Sequence, residues 1–513
     1  MERFLERHQN RIVGVLSGPD RVLYRGTLLS ISHLDGMAMF LSSQRVLYKD
    51  FKPYAERLSD GIVERAKAVA EEAGRPLRYI DSARVSKEDL ARKIMERDGI
   101  TKGLICVLTC VEPCQTYAIR RNRDTRHLDL VSHQGKCLHV YFYLVDREFG
   151  FMHIRLQTWF PFSIQVCVNG REWLAGQLDR ARIGYEKQDN CFVRIDDFQR
   201  AQKLFDRYQE RRWIQTLHTL ARRVNPWLGA KAQPRLHDYY WTIRQDEYAT
   251  DIVFKDGPAL AEIYPRLVDH AIRNFASRDV MRFLGRRTNR RFSGEATADV
   301  HHRPEGIRIK HWVEENSIKM YDKQGCVLRI ETTINNPRRF RVRRLVTRKG
   351  KRRMQWVCMR KSVADMPRRM DIARAANKRY LEALAVIGEV SPIKQVLDPV
   401  SKSKTQNGRQ YRPLRPVSQE EAHVFQVLLQ GEFLLQGFRN KDLRACLFPQ
   451  TSATEADGRK ASGRITRLLR LLRAHGLVAK VGRTRYYRVT KRGNHVMTTV
   501  LNLRECDTSR LVA

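Results

Sequence analysis

Hydrophobic positions change their period several times along this chain, and each change predicts a different kind of element. Between residues 54 and 73, Leu58, Ile62, Ala66, Val69 and Ala73 recur every three or four positions, the spacing of one helix face. Gly74-Arg75-Pro76 predicts its end. Ser86-Lys87-Glu88-Asp89 reads as the capped start of another helix, so residues 1–100 are expected to form a mostly helical N-terminal region. From Gly103 the apolar residues come in short runs rich in Val, Leu, Ile and aromatics, at 104–111, 127–131, 138–145, 151–158 and 162–168, which predict consecutive strands. Helices over 171–181 and 196–208, with a strand pair across 184–195 between them, complete an expected α+β domain at 101–212.

The mixed pattern repeats over 213–390. Strands are expected at 239–243 and 248–254 and helices at 258–275 and 277–284. A meander over 307–313, 317–322 and 327–334 then follows, with Glu314-Glu315-Asn316 and Lys323-Gln324-Gly325 as its turns. Two further strands, 340–346 and 354–359, precede a helix over 371–387. Residues 391–418, carrying Pro392, Pro399, Pro413 and Pro416 around a polar stretch, read as a linker. Residues 419–503 read as a separate small domain, so the expected class is α+β, with antiparallel sheets in the middle of the chain.

Charge sharpens this picture. Against 56 Asp+Glu the 513 residues carry 96 Lys+Arg, a formal net charge of +40. Self-repulsion of that size calls for a polyanionic partner, and nucleic acid is the expected one. No run approaches the roughly 18–20 apolar residues that span a bilayer, and the charged start Met1-Glu2-Arg3 does not read as a secretion signal; no membrane partner and a cytoplasmic place, on the nucleoid if bacterial, are expected. Cys106, Cys110 and Cys114 are spaced like a cluster site but lie in a strand-like run of Val, Leu and Thr, where they read as buried small hydrophobes. The basic residues are not spread evenly. Between Thr332 and Ala364 there is no acidic residue, whereas Arg338, Arg339, Arg341, Arg343, Arg344, Lys349, Arg352 and Arg353 all fall there. A solvated charge run normally mixes signs, so this stretch is expected to face nucleic acid.

The most specific pattern is C-terminal. The third helix of the small domain has Ile465, Leu468, Leu469 and Leu472 on one side and is stopped by Gly476; Leu477-Val-Ala-Lys-Val481, a Gly482-Arg-Thr-Arg485 turn and Tyr486-Tyr-Arg-Val-Thr490 follow as a strand pair. The stretch from Arg464 to Val481 with Tyr487-Arg-Val-Thr-Lys-Arg-Gly493 resembles the winged helix-turn-helix domains of MarR-like regulators. The resemblance implies that Arg464 and Arg467 face the major groove or flanking phosphates and that Arg483 and Arg485 on the wing reach the backbone.

A second candidate lies in the meander. Alternation puts Lys319, Tyr321 and Lys323 on one strand face, and Arg329, Glu331 and Thr333 on one face of the next, where they converge across the hairpin. A tyrosine hydroxyl among lysines, with a carboxylate able to hold Mg2+ or Mn2+, is a set suited to attack on a phosphodiester. The string Tyr321-Asp322-Lys323, a turn, then Arg329-x-Glu331 resembles a segment of rolling-circle replication initiators of plasmids and filamentous phages. The His-hydrophobic-His motif of the two-histidine members is not in this chain. Other plasmid initiators hold metal with carboxylates, which makes Asp251 a candidate catalytic and metal residue beside Glu331, and His311 a further one. The aromatic run Phe149 to Phe162, with Arg155, is a third candidate, as a base-stacking platform or as core. No phosphate-binding Gly-rich loop or dinucleotide fingerprint occurs, so no nucleotide or redox cofactor is expected.

These observations predict a DNA-binding protein of the replication-initiator or transposase kind, from a mobile element, acting on duplex and single-stranded DNA. Metal-dependent nicking or strand transfer stays open. A winged-helix transcriptional regulator without chemistry and an RNA-binding protein of a ribonucleoprotein are the alternatives.

Overall fold

The computed structural model describes residues 1–506 except 83, 230–232, 234, 276, 286–295, 304, 305, 349, 386–392, 407, 449–454 and 483. The chain is an α+β protein with a large mixed sheet and several two-stranded ones. Its residues form two compact units, each assembled from separated stretches: Leu16–Ala249 with Thr333–Asp371, and Met1–Val15 with Thr250–Thr332 and Ile372–Ala513.

In the first unit, strands Leu77–Tyr79, Gly103–Arg121, Leu128–Asp146, Gly150–Gln157, Ile164–Asn169 and Ile12–Thr27 lie side by side in that order. All these pairings are antiparallel except the first. Ile12–Thr27 lies in the region expected to be helical. At Gly18 the ring of Phe205 packs where a Cβ would sit, 2.2 Å from Phe205 Cε1, so the glycine serves close packing inside the strand. Likewise the two strands expected at 127–131 and 138–145 are one, Leu128–Asp146, running through Gly135. Cys106, Cys110 and Cys114 are buried within Gly103–Arg121. Most of the aromatic run is core: Phe149, Phe151, Phe160 and Phe162 are buried and Trp159 is half-buried, and Arg155 forms an ion pair of 2.7 Å with Glu112.

The second unit holds the meander Ala296–Arg303, Gly306–Val313, Asn316–Lys323 and Val327–Thr333, with the end of strand Tyr240–Phe254 beside it. Leu267, Phe283, Tyr380 and Leu381 from three helices close over Ile309, Ile318, Leu328 and Ile330 of the sheet. The helix expected over 258–275 is two, Gly257–Ala261 and Tyr264–Asn274, the second with Pro265 in its first turn. A separate core gathers Phe425, Leu443, Ile465, Leu469, Leu472, Val496 and Val500 near the C-terminus. Much of the segment expected to be a linker belongs to it. Val400 and Leu414 are buried there, residues Lys404–Gln406 and Arg409–Tyr411 form a hairpin, and Arg412 pairs with Glu421 at 2.8 Å. The prolines limit helix formation without preventing burial of the apolar residues between them. No helix among the described residues is long and apolar enough to cross a membrane.

Candidate functional site

The C-terminal elements run helix Gln419–Leu428, helix Gly431–Gln436, helix Asn440–Leu447, helix Glu455–Ala474, strands Val478–Lys480 and Tyr487–Val489, and helix Lys491–Arg504. Ser418 caps the first by accepting from Glu421 N. Helix Glu455–Ala474 buries Ile465, Leu469 and Leu472 and exposes Arg464, Arg467, Arg470 and Arg473, which at intervals of three wind around the half of the helix turned away from that core. Gly476, at φ +72°, turns the chain out of this helix while Leu477 N bonds back to Leu472 O at 2.9 Å. The strand pair that follows is fixed at its far edge by reciprocal bonds between Phe438 and Tyr487, 2.9 and 2.8 Å. Arg485 is exposed on the connecting turn; Arg483 lies outside the described residues.

Between this hairpin, the start of helix Asn440–Leu447 and the start of the arginine-bearing stretch is a cleft of about 490 Å³, lined by Arg439, Lys441, Arg444, Lys480 and Arg485 with the Thr466 hydroxyl. Asn440 braces it, donating to Ser462 O at 3.1 Å and Thr466 Oγ1 at 2.9 Å. Arg439, Lys441, Arg444 and Lys480 were not singled out by sequence patterning. The signal was Arg439-Asn-Lys-Asp-Leu-Arg444, a basic helix start, legible only once the hairpin is known to face it.

The acid-free stretch folds as a two-stranded ribbon, Arg341–Arg348 with Lys351–Cys358. Arg341, Arg343, Arg352 and Arg353 are exposed, as are Arg338 and Arg339 on the short turn Pro337–Arg339 before it. Arg344 is half-buried and donates to both oxygens of buried Asp365, which also accepts from Arg360 N at 2.8 Å. Lys349 lies outside the described residues.

In the meander, Lys319, Tyr321 and Glu331 do meet. Lys319 Nζ donates to Glu331 Oε1 and Tyr321 Oη donates to Glu331 Oε2 at 2.8 Å, with Glu331 only 2 % exposed. Burial alone would lift the Glu331 pKa. The charge and hydrogen bond of Lys319, the Tyr321 hydroxyl and Arg329 together outweigh it and hold the carboxyl below its ordinary value. Asp251 lies elsewhere in its chemistry: its two oxygens take a fork from fully buried Arg329, 2.6 Å to Nε and 2.8 Å to Nη2. Lys323 is buried. His311 is a core histidine, 3.2 Å from the Tyr380 hydroxyl and pushed by burial to about 4, hence neutral near pH 7.

No protein-family model, curated protein or solved structure matches this chain. What the residues can do therefore rests on their own geometry. Asp251 is engaged by Arg329, and Glu331 by Lys319 and Tyr321, so each carboxylate has a basic neighbour that a divalent cation would meet there. The helix arginines, the cleft and the ribbon are different: they expose guanidinium and ammonium groups suited to phosphate oxygens.

Proposed function

We propose that this chain is a DNA-binding protein of the replication-initiator or transposase kind, whose C-terminal elements engage duplex DNA while the basic ribbon adds backbone contact. The observation that carries the reading is the set Arg464, Arg467, Arg470 and Arg473, exposed on a helix whose opposite side is core and followed directly by a projecting strand pair. This order of elements fits the winged helix-turn-helix resemblance, in which a helix lies along a groove and the hairpin touches the flanking backbone. The cleft lined by Arg439 and Lys441, with Ser462 and Thr466 of the arginine-bearing helix, adds a second group of cations suited to phosphate. Purification at moderate salt followed by DNase or RNase treatment tests it: the expected co-purifying polymer is DNA enriched for one site. A single structured RNA would replace this reading with the ribonucleoprotein one.

A second reading, strand nicking by Tyr321, is favoured by the 2.8 Å bond between its hydroxyl and Glu331. Attack would form an Oη–phosphorus bond, break one ester bond of the strand and release the sugar oxygen as a hydroxyl, with Lys319 offsetting charge on the phosphorane. The phenolic proton passes to Glu331 and from its carboxyl to the departing sugar oxygen, which balances the exchange; the depressed pKa of Glu331 makes the first transfer the demanding step and favours the second. Tyr321→Phe is expected to abolish any covalent protein–DNA adduct and to leave DNA affinity unchanged.

A further inference from the structure

The basic ribbon has two unlike faces. Pairing sets Arg341 opposite Cys358, Arg343 opposite Trp356, Leu345 opposite Met354 and Thr347 opposite Arg352, and residues directly opposite in an antiparallel pair share a face. On this face every residue is exposed, including Trp356 at 59 %, Leu345 at 55 % and Met354 at 51 %. On the other face Val342, Arg344, Val346, Gln355 and Val357 are half-buried. An apolar strip thus stands outward where alternation would allow polar residues, and three arginines flank it.

The strip is held in shape. The Arg368 guanidinium carbon lies 5.7 Å from the Trp356 ring centre, and Arg368 Nε donates to Arg341 O at 3.2 Å, which ties the indole's neighbour to the ribbon's own backbone. At the ribbon's base Met359 N bonds to Phe340 O at 2.9 Å.

We propose that this face is a binding site for single-stranded DNA, with an unpaired base stacked on Trp356, its neighbours against Leu345 and Met354, and phosphates taken by Arg341, Arg343 and Arg352. The inference rests on the DNA reading above and deepens it. Two features select the occupant. No acidic residue occurs from Thr333 to Val363, so the charge suits a polyanion and opposes a protein surface of ordinary mixed sign. The apolar half of the site calls for exposed π-faces, which unpaired bases present and stacked base pairs withhold.

The test uses the full chain and fluorescence anisotropy with a labelled oligothymidylate, an abasic strand of the same length and a duplex. Trp356→Ala is expected to weaken oligothymidylate binding by about 5- to 150-fold, the worth of one stacked base. Trp356→Phe should retain most of the affinity, and the abasic strand should bind wild type and Trp356→Ala alike. Because Trp356 is exposed, unchanged thermal unfolding of the variant shows that its fold is intact. Oligothymidylate affinity equal in wild type and Trp356→Ala, with the wild type binding both probes, overturns the stacking site and leaves the DNA reading standing. A wild type that binds neither strand nor duplex removes the DNA reading itself and this site with it. Loss of self-association in Trp356→Ala without change in oligothymidylate binding assigns the face to a second copy of the chain and also overturns the proposal.

Discussion

The hairpin that carries Tyr321 and the ribbon that carries Trp356 are both antiparallel strand pairs rich in cations, yet their charges are arranged in opposite ways. In the first, Lys319 meets Glu331, and Arg329 in the same strand as Glu331 meets Asp251, with both carboxylates and Arg329 buried. In the second, a run of arginines and lysines has no acid within it, and Arg344 is drawn inward to Asp365 while Arg341, Arg343, Arg352 and Arg353 are exposed. The difference teaches that net charge alone does not locate a nucleic-acid surface. A buried cation answered by a carboxylate is committed to that partner, and losing either one strands the other, whereas exposed cations in an acid-free stretch suit phosphate.

The comparison breaks most visibly at Arg329. Replacing it by Met strands the buried Asp251 carboxylate, and the expected loss is about 3–5 kcal/mol in the denaturant midpoint analysis, with much of it recovered when Asp251→Asn is added. At Tyr321 the loss is smaller: Tyr321→Phe removes one hydrogen bond to a buried carboxylate, worth about 1.5–3 kcal/mol. The sign of the Glu331 effect is checked by pH. Its folded pKa is depressed, so its contribution is complete above the ordinary value of 4.5 and is lost as pH falls through the folded value. Glu331→Gln should therefore flatten the acid limb of the stability profile, and a profile as steep as wild type would remove the assignment. On the ribbon, the combined Arg341→Ala, Arg343→Ala and Arg352→Ala variant is expected to shift stability by no more than about 0.5 kcal/mol per site. A large loss there would mean that these arginines are structural, like Arg329.

Much of this was legible in the pattern of residues, and the rest fails for identifiable reasons. The convergence of Lys319, Tyr321 and Glu331 follows from strict alternation in two strands joined by a short turn, a purely local inference. That Asp251 would be engaged by Arg329 was not legible, because their strands are far apart in sequence and only tertiary pairing unites them. The aromatic density of Phe149 to Phe162 signalled either core or platform, and periodicity cannot separate the two when a strand is buried on both faces. Trp356 is hidden for the converse reason. Which ribbon face is exposed depends on the register, and the arginines around Trp356 make the stretch legible as charge alone. The burial within 391–418 is hidden by its prolines and serines, because Val400 and Leu414 are apolar residues too widely spaced to show a period.

The central claim is that exposed, acid-free cations of this chain engage DNA phosphates. The most direct measurement is the salt dependence of duplex affinity for the full chain and for the Arg464→Ala, Arg467→Ala variant. The account predicts a steep fall of log K with log salt, and a slope shallower by about 2 in the variant, one counterion for each lost contact. A wild type without duplex affinity, or a variant with an unchanged slope and unchanged affinity, would contradict it.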